Sequence, residues 1–249
     1  MKPQLSIVII TLNEEKRLPK LLACLKKQTF QDFEVIVADA KSTDRTRAIA
    51  KKWGAQVVDG GLPSKGRNAG TAVARANIIQ FFDADVEPSP DFLQKNIAAF
   101  NQQSLSVAST RSTPSSGSFA GHFFYAWWDG LAWAAQRIRP YAAGYSLLVR
   151  RSAFERVRGF NERIRFAEDI EFARRVARLG QFGILPVPIT VSDRRYVKGG
   201  ALRALKTYLL WFFNDIFRPH KLYGQYDYVL GQHAEQQVRS RHSSSKRRL

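Results

Sequence analysis

The sequence has a single cysteine, Cys24, among its 249 residues. An internal disulfide is therefore excluded, and a reducing compartment is the expected location. The chain also lacks an uninterrupted apolar run of the ~20 residues that a spanning helix needs. His122, Asp129 and Gln136 interrupt the best candidate. We therefore expect a protein that does not cross a membrane.

Acidic residues are also scarce, with 21 Asp and Glu against 39 Lys and Arg, which gives a formal net charge of +18 at pH 7. Such an excess favours an anionic partner, which is a nucleic acid, an acidic lipid surface or a phosphorylated substrate. Positions 239–249 carry five Lys or Arg and no acid, and this basic tail is expected to be disordered. The 45% hydrophobic content is sufficient for a packed core.

The most informative stretch is 77–88, an apolar run that ends in Asp83, Asp85 and Glu87 before Pro88. The run is short and rich in Ile and Phe, which predicts a buried strand, and the proline prevents it from continuing as an interior strand. Ligands of open α/β sheets lie beyond the carboxyl ends of the strands. Two carboxylates at that position, beside a diphosphate, suit a hard divalent cation. The competing interpretation is a solvated acidic turn.

Hydrophobic periodicity predicts alternating strands and helices in the first third of the chain. The predicted strands are 5–10, 33–38, 56–58 and 77–83, and the predicted helices are 18–25, 42–53 and 65–76. Ser42 is expected to cap the second helix and Gly54 to end it. This order predicts an α/β fold with a parallel sheet and right-handed crossovers. Further helices are predicted at 92–100, 168–180 and 201–217, and further strands at 105–109 and 146–149.

Six groups of polar residues follow in order at the ends of these elements. They are Thr11-Leu12-Asn13-Glu14, Asp39-Ala40-Lys41-Ser42-Thr43-Asp44, Gly66-Arg67-Asn68-Ala69-Gly70, Asp83-Ala84-Asp85, Arg151-Ser152-Ala153-Phe154 with Gly159-Phe160-Asn161-Glu162, and Glu168-Asp169. Together, over roughly residues 4–195, they resemble the ordered motifs of family-2 glycosyltransferases with the GT-A fold. The resemblance implies a Rossmann-like, mostly parallel central sheet flanked by helices, an Asp-x-Asp metal site, and inversion at the anomeric carbon of the sugar.

The resemblance also implies roles for individual residues. Asp169 is expected to be the catalytic base that takes a proton from the acceptor hydroxyl. The expected nucleotide-sugar-binding set is Thr11, Asn13, Glu14, Asp39, Arg67, Asp83, Asp85 and Glu168. Asp85 is expected to be the primary metal ligand, with Asp83 nearer the ribose or a metal-bound water. Mg or Mn is the expected cofactor, and the expected partners are a UDP- or GDP-sugar donor and an acceptor glycan or lipid-linked acceptor.

Each of these sites also has a structural interpretation. Asp39 is interpretable as a turn acid ahead of a helix cap at Ser42. Positions 13–14 suit the start of a helix, and Arg67 suits a solvated helix surface. The acids at 168–169 suit the first turn of a helix, where they offset the positive end of the dipole.

The expected organisation is a nucleotide-sugar-binding half at 1–112, an acceptor-binding half at 113–198, and an aromatic amphipathic helix with the basic tail at 199–249. Two aromatic-rich segments, 119–133 and 208–217, suit either a core under a lid or an interfacial surface. Because the basic tail adds to the second interpretation, we expect peripheral association with an anionic membrane surface on the cytoplasmic side.

Two other functions compete with sugar transfer. The net charge favours a nucleic-acid-binding protein, but the basic residues are spread along the chain without a reader motif, so nucleic acid is not an expected partner. A sugar nucleotidyltransferase shares the fold class but needs a Gly-rich phosphate loop after the first strand, where this chain has residues 11–14 instead. Ala40 and Lys41 depart from the family pattern, which leaves the nucleotide base undetermined.

Overall fold

A computed structural model describes residues 2–115, 139–165 and 167–191, with isolated positions 126, 129, 130, 133, 134 and 136. The strands are β1 Leu5–Thr11, β2 Phe33–Asp39, β3 Gln56–Asp59, β4 Ile78–Asp83, β5 Val86–Glu87, β6 Val107–Pro114, β7 Ser146–Arg150 and β8 Phe182–Val191. The helices are α1 Leu18–Lys26, α2 Thr46–Trp53, α3 Pro63–Val73, α4 Phe92–Gln102, α5 Arg151–Arg156 and α6 Glu168–Ala177. The predicted helix 201–217, the aromatic segment 208–217, the tail 239–249 and most of 119–133 lie outside the described residues.

The described strands form one mixed sheet in the order β3-β2-β1-β4-β7-β6-β8-β5. Strands β3, β2, β1 and β4 are parallel, as the sequence predicts, and β6 is parallel to β8. Strand β7 runs antiparallel to both β4 and β6, and β5 runs antiparallel to β8. The parallel half brings the carboxyl ends of its strands to one edge, where Thr11 is in register with Asp39 and Ile10 with Asp83.

Each face of the sheet is covered by helices. On one face, α1 buries Leu18, Leu21, Leu22 and Leu25 in a cluster that also contains Phe82 and residues of α4. On the other face, residues of α5 and α6 pack against Val8 and Phe81. Among the described residues, no helix is both long enough and apolar enough to cross a membrane. The expected division of the chain at residue 112 stays a prediction.

The boundaries of two helices differ from the sequence-based expectation. Helix α2 begins at Thr46, so the predicted cap at Ser42 is wrong. Asp44 accepts a hydrogen bond from the Thr46 N–H, and the Ser42 hydroxyl donates to Asp39. Gly54 ends this helix at φ 95°, as predicted. Helix α3 begins at Pro63 rather than at Lys65. A proline in the first turn costs no hydrogen bond, because the N–H groups there have no partner within the helix.

Two glycines let α3 lie very close to the sheet. A methyl carbon at Gly66 would lie 3.0 Å from Ile10 Cγ2, and one at Gly70 would overlap Val8 Cγ1. Both glycines belong to the Gly66–Gly70 motif that the sequence analysis identified. Because they lack side chains, these glycines set the distance between α3 and strands β1 and β2. That distance in turn sets the position of Arg67, which lies between the two glycines in the motif.

Gly70→Ala should destabilise the protein, although alanine is the better helix former. The added methyl group would overlap Val8, and overpacking of this kind costs roughly 1–3 kcal/mol. Chemical denaturation of Gly70→Ala, Val8→Ala and the double variant measures the effect. The two losses should be less than additive, because Val8→Ala removes the overlapping methyl groups. A Gly70→Ala protein as stable as the wild type would contradict the described contact.

Candidate functional site

Asp39 ties together the ends of β1 and β2. Its side chain is 0% exposed. Oδ1 accepts hydrogen bonds from Thr11 Oγ1 at 2.9 Å and Ser42 Oγ at 2.5 Å. Oδ2 accepts from the Ser42 N–H at 2.9 Å and from Arg47 Nη1 at 3.3 Å. The carboxylate therefore fixes the loop after β2, and its contact with a nucleotide stays a prediction.

The loop after β1 is bound to the loop after β2. The Asn13 N–H donates to Ser42 Oγ at 2.8 Å, and Asn13 Oδ1 accepts from the Thr43 N–H at 2.8 Å. The Glu14 N–H donates to Thr46 Oγ1 at 2.8 Å. Asn13 adopts φ 55°, a left-handed conformation that Asn tolerates better than most residues. These contacts make the two loops one unit at the carboxyl edge of the sheet.

Asp83 and Asp85 lie where the sequence predicts, at the end of a buried strand. Asp83 is the last residue of β4, and Asp85 lies in the turn that leads into β5. Both side chains are partly buried. Asp83 Oδ1 is 3.3 Å from Arg67 Nη2. Among the described residues, no three His, Cys, Asp or Glu side chains come together as a complete metal site.

Arg67 is buried at 3% exposure, so its interpretation as a solvated helix residue is wrong. Its Nη1 donates to Glu168 Oε1 at 2.7 Å, and its Nη2 donates to Asp83 Oδ1 and to the Gly144 carbonyl at 3.2 Å. Its guanidinium carbon lies 5.4 Å from the centre of the Phe160 ring. Burial opposes the charge, but Glu168 and Asp83 raise the pKa of Arg67 above its ordinary value. Arg67 is therefore a permanent cation inside the site.

Glu168 and Asp169 open α6 beside Arg67. Asp169 Oδ2 accepts from the Gly144 N–H at 2.6 Å, and its Oδ1 accepts from the Ile170 N–H at 2.8 Å. Burial raises the pKa of Asp169 to about 7, and the charge of Glu168 adds to the rise, while Arg67 and the two N–H groups oppose it. Asp169 is therefore a carboxyl group that exchanges a proton near neutral pH.

Gly144 is a residue of the site that sequence reasoning missed. Its carbonyl accepts from Arg67 and its N–H donates to Asp169. A methyl carbon there would lie 2.6 Å from Arg67 Nη2 and 2.9 Å from Asp169 Oδ2. A lone glycine before a strand is an ordinary pattern, so the sequence carries no signal for this role.

The geometry places the predicted acids at one edge of the sheet. Strand pairing brings Asp39 and Asp83 to the ends of β2 and β4, the two parallel strands on either side of β1. Arg67 links Asp83 to Glu168, and the Gly144 backbone links Arg67 to Asp169. Acidic residues of β4 and α6 thus lie around one buried cation.

Residues 6–158 match the family described as Glycosyl transferase family 2. The chain belongs to this family. The match covers more than half of the sequence and includes the motifs at 11–14, 39–44, 66–70, 83–85 and 151–154. The predicted family is therefore confirmed.

Curated glycosyltransferases match a shorter stretch. Validoxylamine A glucosyltransferase of Streptomyces hygroscopicus subsp. limoneus is 36% identical over 107 residues, covering 39% of this chain and 24% of that protein. The 4,4'-diaponeurosporenoate glycosyltransferase of Staphylococcus haemolyticus is 39% identical over 92 residues, covering 33% of this chain and 24% of that protein. The chain thus spans about a quarter of the length of these curated relatives.

Solved glycosyltransferase structures share the fold of this family-2 chain. Residues 1–349 of Staphylococcus aureus TarS, in complex with UDP-GlcNAc, align with a TM-score of 0.63 at 20% identity, over 76% of this chain and 58% of that one. The mannosyltransferase PcManGT of Pyrobaculum calidifontis, in complex with GDP-Man and Mn2+, aligns with a TM-score of 0.63 at 20% identity, over 78% and 57%. The predicted GT-A fold is therefore confirmed.

Asp169→Asn should stabilise the folded protein at about pH 8 and have little effect at about pH 4. The pKa of folded Asp169 lies above the ordinary value of 3.8, so the folded protein holds a proton that the unfolded chain releases. Wild-type stability therefore falls as the pH rises from about 4 to about 7. Asparagine has no proton to lose, and the gain at high pH should be on the order of 1–3 kcal/mol, because partial exposure weakens the effect.

The melting temperatures of wild type and Asp169→Asn across this pH range measure the difference. Asp32→Asn is the matched control, because Asp32 is exposed at the opposite end of β2. An Asp169→Asn effect that does not change with pH would contradict the raised pKa of Asp169.

Proposed function

We propose that the chain transfers a sugar from a nucleotide diphosphate sugar to an acceptor hydroxyl or lipid phosphate, with inversion at the anomeric carbon. The observation that carries this proposal is the buried contact of Arg67 with both Asp83 and Glu168, which joins the end of β4 to the start of α6. An inverting displacement needs a leaving group on one side of the sugar and a base on the other. These two elements supply carboxylates for the two tasks.

The donor is proposed to lie at the carboxyl ends of β1, β2 and β4. The joined loops after β1 and β2 present Thr11, Asn13, Glu14 and Asp39 at this edge. Two structural neighbours are bound to UDP-GlcNAc and to GDP-Man, which supports a UDP- or GDP-sugar as the donor class. The sequence matches are to glycosyltransferases, so they favour sugar transfer over nucleic-acid binding.

Mg or Mn is proposed to bind at Asp85 and Asp83. Both are hard oxygen donors, and a cation of this kind is commonly held by one or two carboxylates together with substrate phosphates. That mode fits a chain whose described residues hold two carboxylates here and no complete protein-only cluster. PcManGT is bound to Mn2+ together with GDP-Man, which supports the assignment. The bound cation would neutralise charge on the departing diphosphate.

Asp169 is proposed to be the base. Its carboxylate takes the proton of the acceptor hydroxyl as the acceptor oxygen forms a bond to the anomeric carbon. The bond from that carbon to the diphosphate oxygen breaks, and the nucleoside diphosphate leaves with the electron pair. The Gly144 N–H, at 2.6 Å from Asp169 Oδ2, fixes the direction of the carboxylate during this step.

The acceptor side is proposed to involve a membrane. The formal charge of +18 and the aromatic segments suit peripheral association with an anionic bilayer surface on the cytoplasmic side. A glycan or lipid-linked acceptor would then be presented to Asp169 from that surface. Flotation of the protein with vesicles of neutral or anionic lipid tests this part separately from catalysis.

The rate should rise with pH, because the base works only when it is deprotonated. We expect kcat/KM for the donor to increase with a midpoint near 7, where burial places the pKa of Asp169. A stopped assay of donor turnover from pH 5 to pH 9 measures this. A profile that is flat, or that falls with pH, would contradict the assignment of Asp169.

Asp85→Ala and Asp169→Asn should each reduce turnover by at least about 10³-fold. Only Asp85→Ala should also weaken Mn2+-dependent nucleotide binding, because Asp169 acts on the acceptor. Screening UDP-, GDP- and dTDP-sugars for Mn2+-dependent hydrolysis and thermal stabilisation identifies the donor first. Glu87→Ala is the matched control, since it removes an exposed acid from the same stretch. Wild-type turnover by either site variant would contradict the role proposed for that residue.

A further inference from the structure

Arg67 touches both acidic parts of the site. On the donor side its Nη2 is 3.3 Å from Asp83 Oδ1, at the end of β4. On the acceptor side its Nη1 is 2.7 Å from Glu168 Oε1, in the first turn of α6. One side chain on α3 therefore links the strand that carries the Asp-x-Asp motif to the helix that carries the base.

The surroundings of Arg67 hold its side chain in place. The guanidinium is stacked at 5.4 Å from the centre of the Phe160 ring, and that ring is itself stacked on Phe172 at 4.0 Å. The Gly144 backbone closes the other side, because even a methyl carbon at this position would lie 2.6 Å from Nη2. With 3% of the residue exposed, Arg67 has little surface to offer a donor phosphate while these contacts last.

The backbone of Gly144 connects Arg67 to Asp169 through two hydrogen bonds. Its carbonyl accepts from Arg67 Nη2 at 3.2 Å, and its N–H donates to Asp169 Oδ2 at 2.6 Å. Both groups belong to the backbone of one residue, so a charged donor that holds the carbonyl also restricts the position of the N–H. The orientation of Asp169 thus depends on where Arg67 holds the Gly144 backbone.

We propose that Arg67 is a positioning residue of the transfer reaction, which fixes Glu168 and the Gly144 backbone so that the Asp169 carboxylate is directed at the acceptor. This inference rests on the proposed function and replaces the nucleotide-sugar contact that the family resemblance implies for Arg67. The contact with Asp83 places the donor-side carboxylate in the same network. One buried side chain therefore contacts a residue on the donor side and a residue on the acceptor side of the proposed site.

The charges around Asp169 agree with this role. Besides burial, the charge of Glu168 on α6 raises the pKa of Asp169, and that of Arg67 on α3 lowers it. Elsewhere on α6, Glu171 is paired with Arg175, and Arg174 lies over Tyr141. Arg67 is bonded directly to Glu168, and it reaches Asp169 only through the Gly144 backbone.

Arg67→Lys separates positioning from phosphate binding. Lysine keeps the charge but lacks the planar fork that reaches several partners at once. We expect kcat to fall about 10²-fold, as for a small misplacement of a catalytic group, while the Kd of UDP or GDP measured with Mn2+ changes less than about twofold. Arg75→Lys is the control, since Arg75 is largely exposed, follows α3 and pairs with Glu34, and it should alter neither quantity. A weakened nucleotide Kd with an unchanged kcat would overturn the proposal.

A second measurement does not require turnover. The pH dependence of the stability change caused by Asp169→Asn gives the titration midpoint of Asp169. In a Glu168→Gln background, adding Arg67→Met should raise this midpoint by about one pH unit or more, whereas adding Arg75→Met should not move it. Equal midpoints would overturn the proposal.

If Arg67→Met does not fold, the kinetics of Arg67→Lys decide whether the proposal holds. Absence of wild-type turnover with every nucleotide sugar would refute the proposed function, while the titration still tests Arg67.

Discussion

The ion pair between Arg67 and Glu168 is the interaction on which the rest of the site depends. A buried arginine is tolerable only when its charge is compensated, and here the compensation comes from Glu168 at 2.7 Å and Asp83 at 3.3 Å. Removing one partner would leave an uncompensated charge inside the protein. The fold therefore needs these acids near one another, and that requirement brings the end of β4 and the start of α6 together.

The sheet meets this requirement through close packing. Gly66 and Gly70 lower α3 onto β1 and β2, which brings Arg67 to the height of the strand ends. Phe160 supports the guanidinium, and the Asn68 side chain bonds both backbone polar groups of Phe160, which fixes the turn after α5. Stability and the candidate chemistry thus share the same contacts, and Asp169 is the exception, because its ionisation weakens the fold as the pH rises.

Local pattern was enough to predict the parallel half of the sheet and the position of Asp83. The Ile and Phe run predicted β4, and the leucine repeat predicted α1, because both signals lie within one element. The cap of α2 was predicted wrongly because the Ser42 hydroxyl donates to Asp39, on the preceding strand, and the helix begins four residues later.

Long-range contacts were not predictable from the sequence. Glu168 lies 101 positions from Arg67 along the chain, so nothing near Arg67 indicates that it is buried rather than solvated. The antiparallel direction of β7 and the role of Gly144 also depend on how the second half of the chain returns to the sheet. The family resemblance grouped Glu168 and Asp169 in one motif, but their link to Asp83 came only from the fold.

A crystal structure with UDP or GDP and Mn2+ bound would show where the donor and the cation lie. We predict that the diphosphate and the cation lie against Asp85 and Asp83. Arg67 should still be bonded to Glu168, and Asp169 should lie on the opposite side of the sugar position. A nucleotide bound away from this edge of the sheet, or an Arg67 that has left Glu168 for the phosphates, would contradict this prediction.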